Sequence, residues 1–265
     1  MRFGCFGFKD QIDDIAKSGF DTVELDLGEL ISMDKREFQA FEKKAQVSGL
    51  TFDVFSGLLP LSVRLHAEDF QREYWLAHVE KAAERATALG GKMIPFGAGK
   101  CRSIPENCSN IEAAKTHVAD FVGAICDIFQ KYNLEMVVEP LGPANSNYLN
   151  YIGETVLFAK NLKRENCHAM CDLRHMYKLG EGFEAIQENR SDILHAHIDY
   201  PRKDLRKFPQ AKDDYNYQPY IDALYKAGYD RILTIEATWF ENFREETERS
   251  CIYLKEMAQK AGYVL

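Results

Sequence analysis

Gly228-Tyr229-Asp230-Arg231-Ile232-Leu233-Thr234-Ile235-Glu236 reads as the end of a helix, a tight connection and a short strand. Gly228 sits just past a helical run, where the left-handed C-cap conformation favours glycine. The strand over 231–237 follows at once. Side chains alternate faces along a strand, so Leu233 and Ile235 point one way and Thr234 and Glu236 the other. In a parallel sheet covered by helices the aliphatic pair takes the outer face, which leaves Thr234 and Glu236 facing inward.

The same unit recurs in both directions along the chain. Strands are predicted near 2–7, 21–26, 51–56, 92–97, 134–139, 167–172, 192–198 and 231–237. Between them lie amphipathic stretches, including Asp10 to Ala16, 68–89 and 110–132, the last with Ile111, Val118, Phe121, Val122 and Ile125 on one stripe. Gly19, Gly49, Gly90 and Gly91, like Gly228, are expected to end helices in the left-handed conformation. Eight strand and helix alternations imply a parallel sheet, and eight is the number that closes it. The expected fold is α/β, a (β/α)8 TIM barrel, as a single domain over 1–265.

Composition agrees with one large soluble domain. The chain has 265 residues, 46% hydrophobic and 28% charged, enough to bury a substantial core. Seven cysteines, with no C-x-x-C pair, suggest reduced thiols in a cytoplasmic protein. No run approaches the roughly 18 apolar residues of a membrane span, and no apolar leader follows Met1, so no membrane association is expected. A net charge of −8 is the wrong sign for a surface that neutralises phosphates, so no nucleic-acid partner is expected.

Four strands end in metal-capable side chains: Glu139, Asp172, His197 and Glu236. By parity all four face the barrel axis, together with Val137, His168, Met170 and His195. Their positions, about one βα unit apart, place them on neighbouring strands, at the end where barrel sites are built. Three carboxylates and one imidazole make a hard, oxygen-rich site for one divalent ion, with Mn²⁺, Mg²⁺ or Co²⁺ favoured and Zn²⁺ compatible. Burying these like charges together is costly without a cation. Such an ion can chelate a carbonyl and its neighbouring hydroxyl and stabilise the enediolate formed when the C–H between them loses its proton, with a carboxylate as base. Taken singly, each acid is more often a strand-end ion pair or helix cap.

At these residues the chain resembles the xylose isomerase-like TIM-barrel superfamily and its sugar and sugar-phosphate isomerases and epimerases. The resemblance rests on Gly19-Phe20-Asp21-Thr22-Val23-Glu24, Phe96-Gly97-Ala98-Gly99 with Arg102 and Pro105-Glu106, Glu139-Pro140-Leu141, Asp172-Leu173-Arg174-His175-Met176, His195-Ala196-His197-Ile198 and Ile235-Glu236. It implies that Glu139, Asp172, His197 and Glu236 are the metal ligands and that Glu139 and Glu236 are the proton-transfer pair. It also implies substrate contacts by His175, in an Asp-x-x-His element, and by Arg202, with Lys203 or Arg206 as alternatives. Arg102 is matched to a substrate-side loop and Glu24 to the glutamate ending strand two. Asn145 departs from the pattern, standing where the ketose 3-epimerases carry a further glutamate.

The implied substrate is a small polyhydroxylated carbonyl compound, and a homo-oligomer is common among such proteins. A metal-dependent dehydratase of the inosose or dehydroshikimate type is the main alternative. An abasic-site endonuclease would need further ligands for a trinuclear cluster, which the chain lacks, and a non-catalytic sugar- or metal-binding barrel would not need both bases. His195, one layer deeper than His197, and Cys171, facing outward, read as packing.

Overall fold

Strand pairing follows the alternation of polar and apolar residues closely. The computed structural model of the chain describes residues 1–265 and contains eight parallel strands: β1 (Arg2–Gly7), β2 (Thr22–Asp26), β3 (Thr51–Ser56), β4 (Met93–Phe96), β5 (Glu135–Val138), β6 (Cys167–Asp172), β7 (Ile193–Ile198) and β8 (Ile232–Ile235). Each pairs with its sequence neighbours, and β8 returns to β1 through Phe3 opposite Leu233 and Cys5 opposite Ile235, closing the barrel. This is the expected fold.

Eleven helices occupy the intervals: α1 (Ile12–Lys17), α2 (Leu27–Ser32), α3 (Lys35–Gln46), α4 (Arg72–Ala88), α5 (Gly99–Arg102), α6 (Ile111–Lys131), α7 (Ile152–Leu162), α8 (Leu173–Leu179), α9 (Glu184–Glu188), α10 (Gln218–Lys226) and α11 (Phe243–Ala261). The predicted stripe on α6 is buried at Val118, Phe121, Val122 and Ile125, whereas Ile111, at the helix start, is exposed. Each fully buried Val, Ile or Phe contributes about 1.5–3 kcal/mol. Side-chain caps fix the starts of several helices, including a reciprocal Asp34/Glu37 box on α3 and Asn242 on α11.

One contiguous apolar core joins the outer strand faces to the helices, from Phe3 through Phe121 and Leu233 to Ala258. Val54, Met93 and Ile232 pack as a separate small group. They come from β3, β4 and β8, and on β8 Ile232 lies one layer below Thr234, so apolar side chains plug the lumen beneath the polar strand ends. Gly19, Gly49, Gly90 and Gly228 have the expected positive φ, but Gly91 does not. Its constraint is a close approach, since a Cβ there would lie 2.7 Å from the Ala86 carbonyl and 2.8 Å from the Phe55 ring. All seven cysteines are free, and Cys171 faces outward, its Sγ 3.2 Å from the Tyr220 hydroxyl. No helix is long and apolar enough to cross a membrane.

Candidate metal centre

The four strand-end residues converge. Glu139 follows β5, Asp172 ends β6, His197 lies on β7 and Glu236 follows β8. One donor atom from each lies within 4.8 Å of the others. His197 Nδ1 is 3.6 Å from Glu139 Oε1, 3.7 Å from Asp172 Oδ2 and 3.2 Å from Glu236 Oε2. Three of these atoms, Glu139 Oε1, Asp172 Oδ2 and His197 Nδ1, are buried without any hydrogen-bond partner. Buried polar atoms are rarely left so, and here three point at one spot. An ion about 2.0–2.4 Å from each donor would space them by roughly 3–4 Å. The residues therefore fit a divalent cation.

Local geometry places each acid. Asp172 caps α8 through Oδ1, which accepts from the His175 backbone N–H at 3.1 Å, and this leaves Oδ2 free for the cluster. Glu139 is pressed inward against Gly97, where a Cβ would overlap Oε2. Burial by itself would raise the pKa of Asp172 and of Glu236. For Asp172 the neighbouring His175, His197 and Arg206, and for Glu236 chiefly Arg206 and His197, instead hold the group below the ordinary range. Burial would lower His197, but the charges of Glu24 and Glu236 keep it well above its usual value. Without an ion, a proton on His197 is what offsets the acids.

A second layer of polar residues lies behind His197. Its Nε2 is 3.1 Å from Glu24 Oε1, and Glu24 Oε2 also accepts from His195 Nε2 at 2.9 Å. The packing role expected for His195 is therefore incomplete: it is fully buried but belongs to this network. Parity was the available signal, since it turns Glu24, His195 and His197 all toward the axis.

The predicted substrate residues fare unequally. His175 is buried beside the acids, its Nε2 3.8 Å from Glu139 Oε1 and 3.9 Å from Asp172 Oδ2. Its Nδ1 lies 3.0 Å from the Gly142 backbone N–H and its Nε2 3.1 Å from Arg206 Nη2, and since both neighbours are donors they compete for the one acceptor nitrogen of the neutral ring. Arg202 is not brought to the cluster. Its side chain is 45% exposed and pairs with Asp214 at 2.8 Å, because the loop after β7 turns it to solvent. Arg206 enters instead, bonding Glu236 through Nη1 and lying 3.6 Å from Asp172. Buried Arg174 shapes that loop by binding Asp199 at 2.7 Å and the carbonyls of Tyr200, Lys203 and Leu205.

Arg102 is fully buried and faces no cavity. Its guanidinium donates to the carbonyls of Phe96 (3.1 Å), Glu139 (2.6 Å), Tyr148 (3.2 Å) and Leu149 (3.0 Å), so it braces the backbone behind Glu139. Burial pulls its pKa down to about 10. A cavity of about 410 Å³ opens above the cluster, walled by Phe6, Asp26, Ser56, Leu58, Pro60 and His78, with Glu139, His197 and Glu236 along one side. Glu236 is the most accessible of the three acids and the imidazole, at 18%.

A family model described as a xylose isomerase-like TIM barrel matches residues 12–257. No curated protein matches the chain. Among solved structures, a D-psicose 3-epimerase crystallised in the presence of D-fructose superposes with a TM-score of 0.83 at 17% identity, covering 97% of this chain and 99% of that one. A 3-keto-D-glucoside 4-epimerase from E. coli gives 0.79 at 17% identity, with 97% and 99% covered. A probable 3-DHS dehydratase from Bacillus anthracis gives 0.77 at 16% identity, with 96% and 99% covered.

Proposed function

This chain belongs to the xylose isomerase-like TIM-barrel family, and from that starting point we propose that it is a metal-dependent epimerase or isomerase of a small polyhydroxylated ketone or aldehyde. The observation that carries the reading is the convergence of partnerless Glu139 Oε1, Asp172 Oδ2 and His197 Nδ1 beside Glu236. A divalent ion bound there, with Mn²⁺, Mg²⁺ or Co²⁺ suited to the oxygen-rich donor set, would offset the negative charge that builds on adjacent substrate oxygens as a C–H loses its proton.

The chain's own residues divide the remaining work. Glu236, at the cavity edge, takes the proton, and Glu139 returns one from its own side. His175, oriented by the Gly142 N–H, presents Nε2 beside Arg206 as a contact for a substrate oxygen. Arg206 holds Glu236 ionised. No lysine or arginine lines the cavity, which favours a substrate without a phosphate. The epimerases named above share the fold, and their named substrates supply the first compounds to try.

The test is exchange of substrate hydrogen for solvent deuterium over matched free and phosphorylated ketoses with added Mn²⁺. The wild type is expected to incorporate deuterium beside the carbonyl of a free ketose, and Glu236→Gln to stop it while keeping the fold. Exchange at the wild-type rate in that variant would remove Glu236 as base. The dehydratase neighbour supports the alternative, and appearance of an enone absorbance in place of an isomerised sugar would decide for it.

A further inference from the structure

Glu24 and His197 belong to strands that are not neighbours: β1 and β8 separate β2 from β7 in the closed barrel. The Glu24 carboxylate, fully buried, therefore reaches across the lumen. There it accepts from three donors, His195 Nε2 at 2.9 Å, His197 Nε2 at 3.1 and 3.2 Å, and the Ser56 hydroxyl. An imidazole whose Nε2–H is committed in this way turns its other nitrogen outward, and Nδ1 is the atom that meets Glu139, Asp172 and Glu236.

We propose that Glu24 is the positioning residue of the centre, holding the His197 ring by Nε2–H so that the Nδ1 lone pair faces the site where the ion binds. This rests on the metal reading above. The three side chains Glu24, His195 and His197 also lie close enough to surround an ion of their own. The contrast in hydrogen bonding separates the two cases. The Glu24 oxygens and both Nε2 atoms are satisfied within the triad, whereas three donor atoms of the outer cluster are not. The inner group is a hydrogen-bonded support, and the outer group is the ion site.

Chemistry at position 24 makes the support specific to a carboxylate. An ionised carboxylate only accepts and has room for three donors. The isosteric amide of Glu24→Gln has no charge, leaves one oxygen for both imidazole donors and turns N–H donors toward Ser56, so Ser56 must reverse from donor to acceptor and the hold on the two Nε2–H groups weakens.

The experiment is long-range ¹H–¹⁵N NMR on the full chain labelled at histidine, free and with Zn²⁺ as a diamagnetic probe, alongside a Zn²⁺ titration of wild type and Glu24→Gln. We expect His197 Nε2 to carry a proton in both states, Nδ1 to be the nitrogen that shifts on Zn²⁺ binding, and one Zn²⁺ per chain. Glu24→Gln is expected to weaken Zn²⁺ binding by about 10- to 100-fold, the usual cost of losing such a partner, and to disturb the His197 tautomer. A bare Nε2 in the wild type, or two Zn²⁺ per chain falling to one in Glu24→Gln, would overturn the proposal, and the wild-type spectrum decides it even if the variant does not fold. A protonated Nε2 with no Zn²⁺ bound would remove the metal reading while leaving the hold of Glu24 on the ring in place.

Discussion

Arg206 Nη1 donates to Oε2 of Glu236, the same oxygen that lies 3.2 Å from His197 Nδ1. A cation entering the cluster must share that oxygen with a guanidinium already bound to it. Arg206 thus keeps Glu236 ionised and also repels the ion.

Replacing Arg206 separates these effects. Unit charges about 4 Å apart interact by about 4 kcal/mol at an effective dielectric near 20. Arg206→Gln is therefore expected to bind Mn²⁺ at least about tenfold more tightly, seen by calorimetry, while the KM for substrate rises. Weaker Mn²⁺ binding in the variant would mean that the guanidinium orders the ligands more than it repels the ion.

Ion binding should be coupled to proton release. Without an ion His197 holds its proton well above the usual imidazole range, because Glu24 and Glu236 outweigh the effect of burial. The ion requires a bare Nδ1, so each binding event near neutral pH should expel about one proton, and affinity should climb with pH until the raised pKa is passed. Calorimetry in buffers of different ionisation enthalpy measures the proton count, and a count near zero would contradict the assignment.

Arg102 and Arg202 should respond in opposite ways. Arg102→Met removes a donor from four carbonyls, of which those of Phe96, Tyr148 and Leu149 keep another, and a loss of about 1–3 kcal/mol is expected in urea unfolding. Arg202→Ala removes only an exposed pair with Asp214, so a change within about 0.5 kcal/mol and unaltered ion affinity are expected.

Gly97→Ala probes the seating of Glu139. The added methyl would overlap Oε2, and the flexible end of Glu139 can move, so the fold should survive. The displaced carboxylate should bind the ion more weakly, and an unchanged Mn²⁺ affinity would show that Glu139 can ligate from another rotamer.

Most of the ion cluster was legible in the sequence because two simple periods governed it. Alternation along β6, β7 and β8 turned Asp172, His197 and the approach to Glu236 inward, and the repeated βα unit brought them to one end. Arg206 was named only as an alternative to Arg202, and its entry into the cluster escaped that reading. It sits in a long aperiodic connection between β7 and α10, and its direction depends on Arg174 gripping three carbonyls of that loop. Arg102 escaped for a related reason, since its partners are backbone oxygens that carry no sequence signature. Glu24 was visible only through the resemblance, as the glutamate ending strand two, and its partnership spans more than half the chain.

The closed strand order divides the labour of the molecule between its halves. The four residues of the proposed ion site, His175 and Arg206 come after β4, whereas Phe6, Asp26, Ser56, Leu58, Pro60 and His78, which wall the cavity, come before it. Sequence drift or deliberate redesign in the first half can therefore reshape what fits the cavity without touching the ion-binding residues. Glu24 and Ser56, which donates to it, are the exceptions, the points where a change made for selectivity would reach the chemistry.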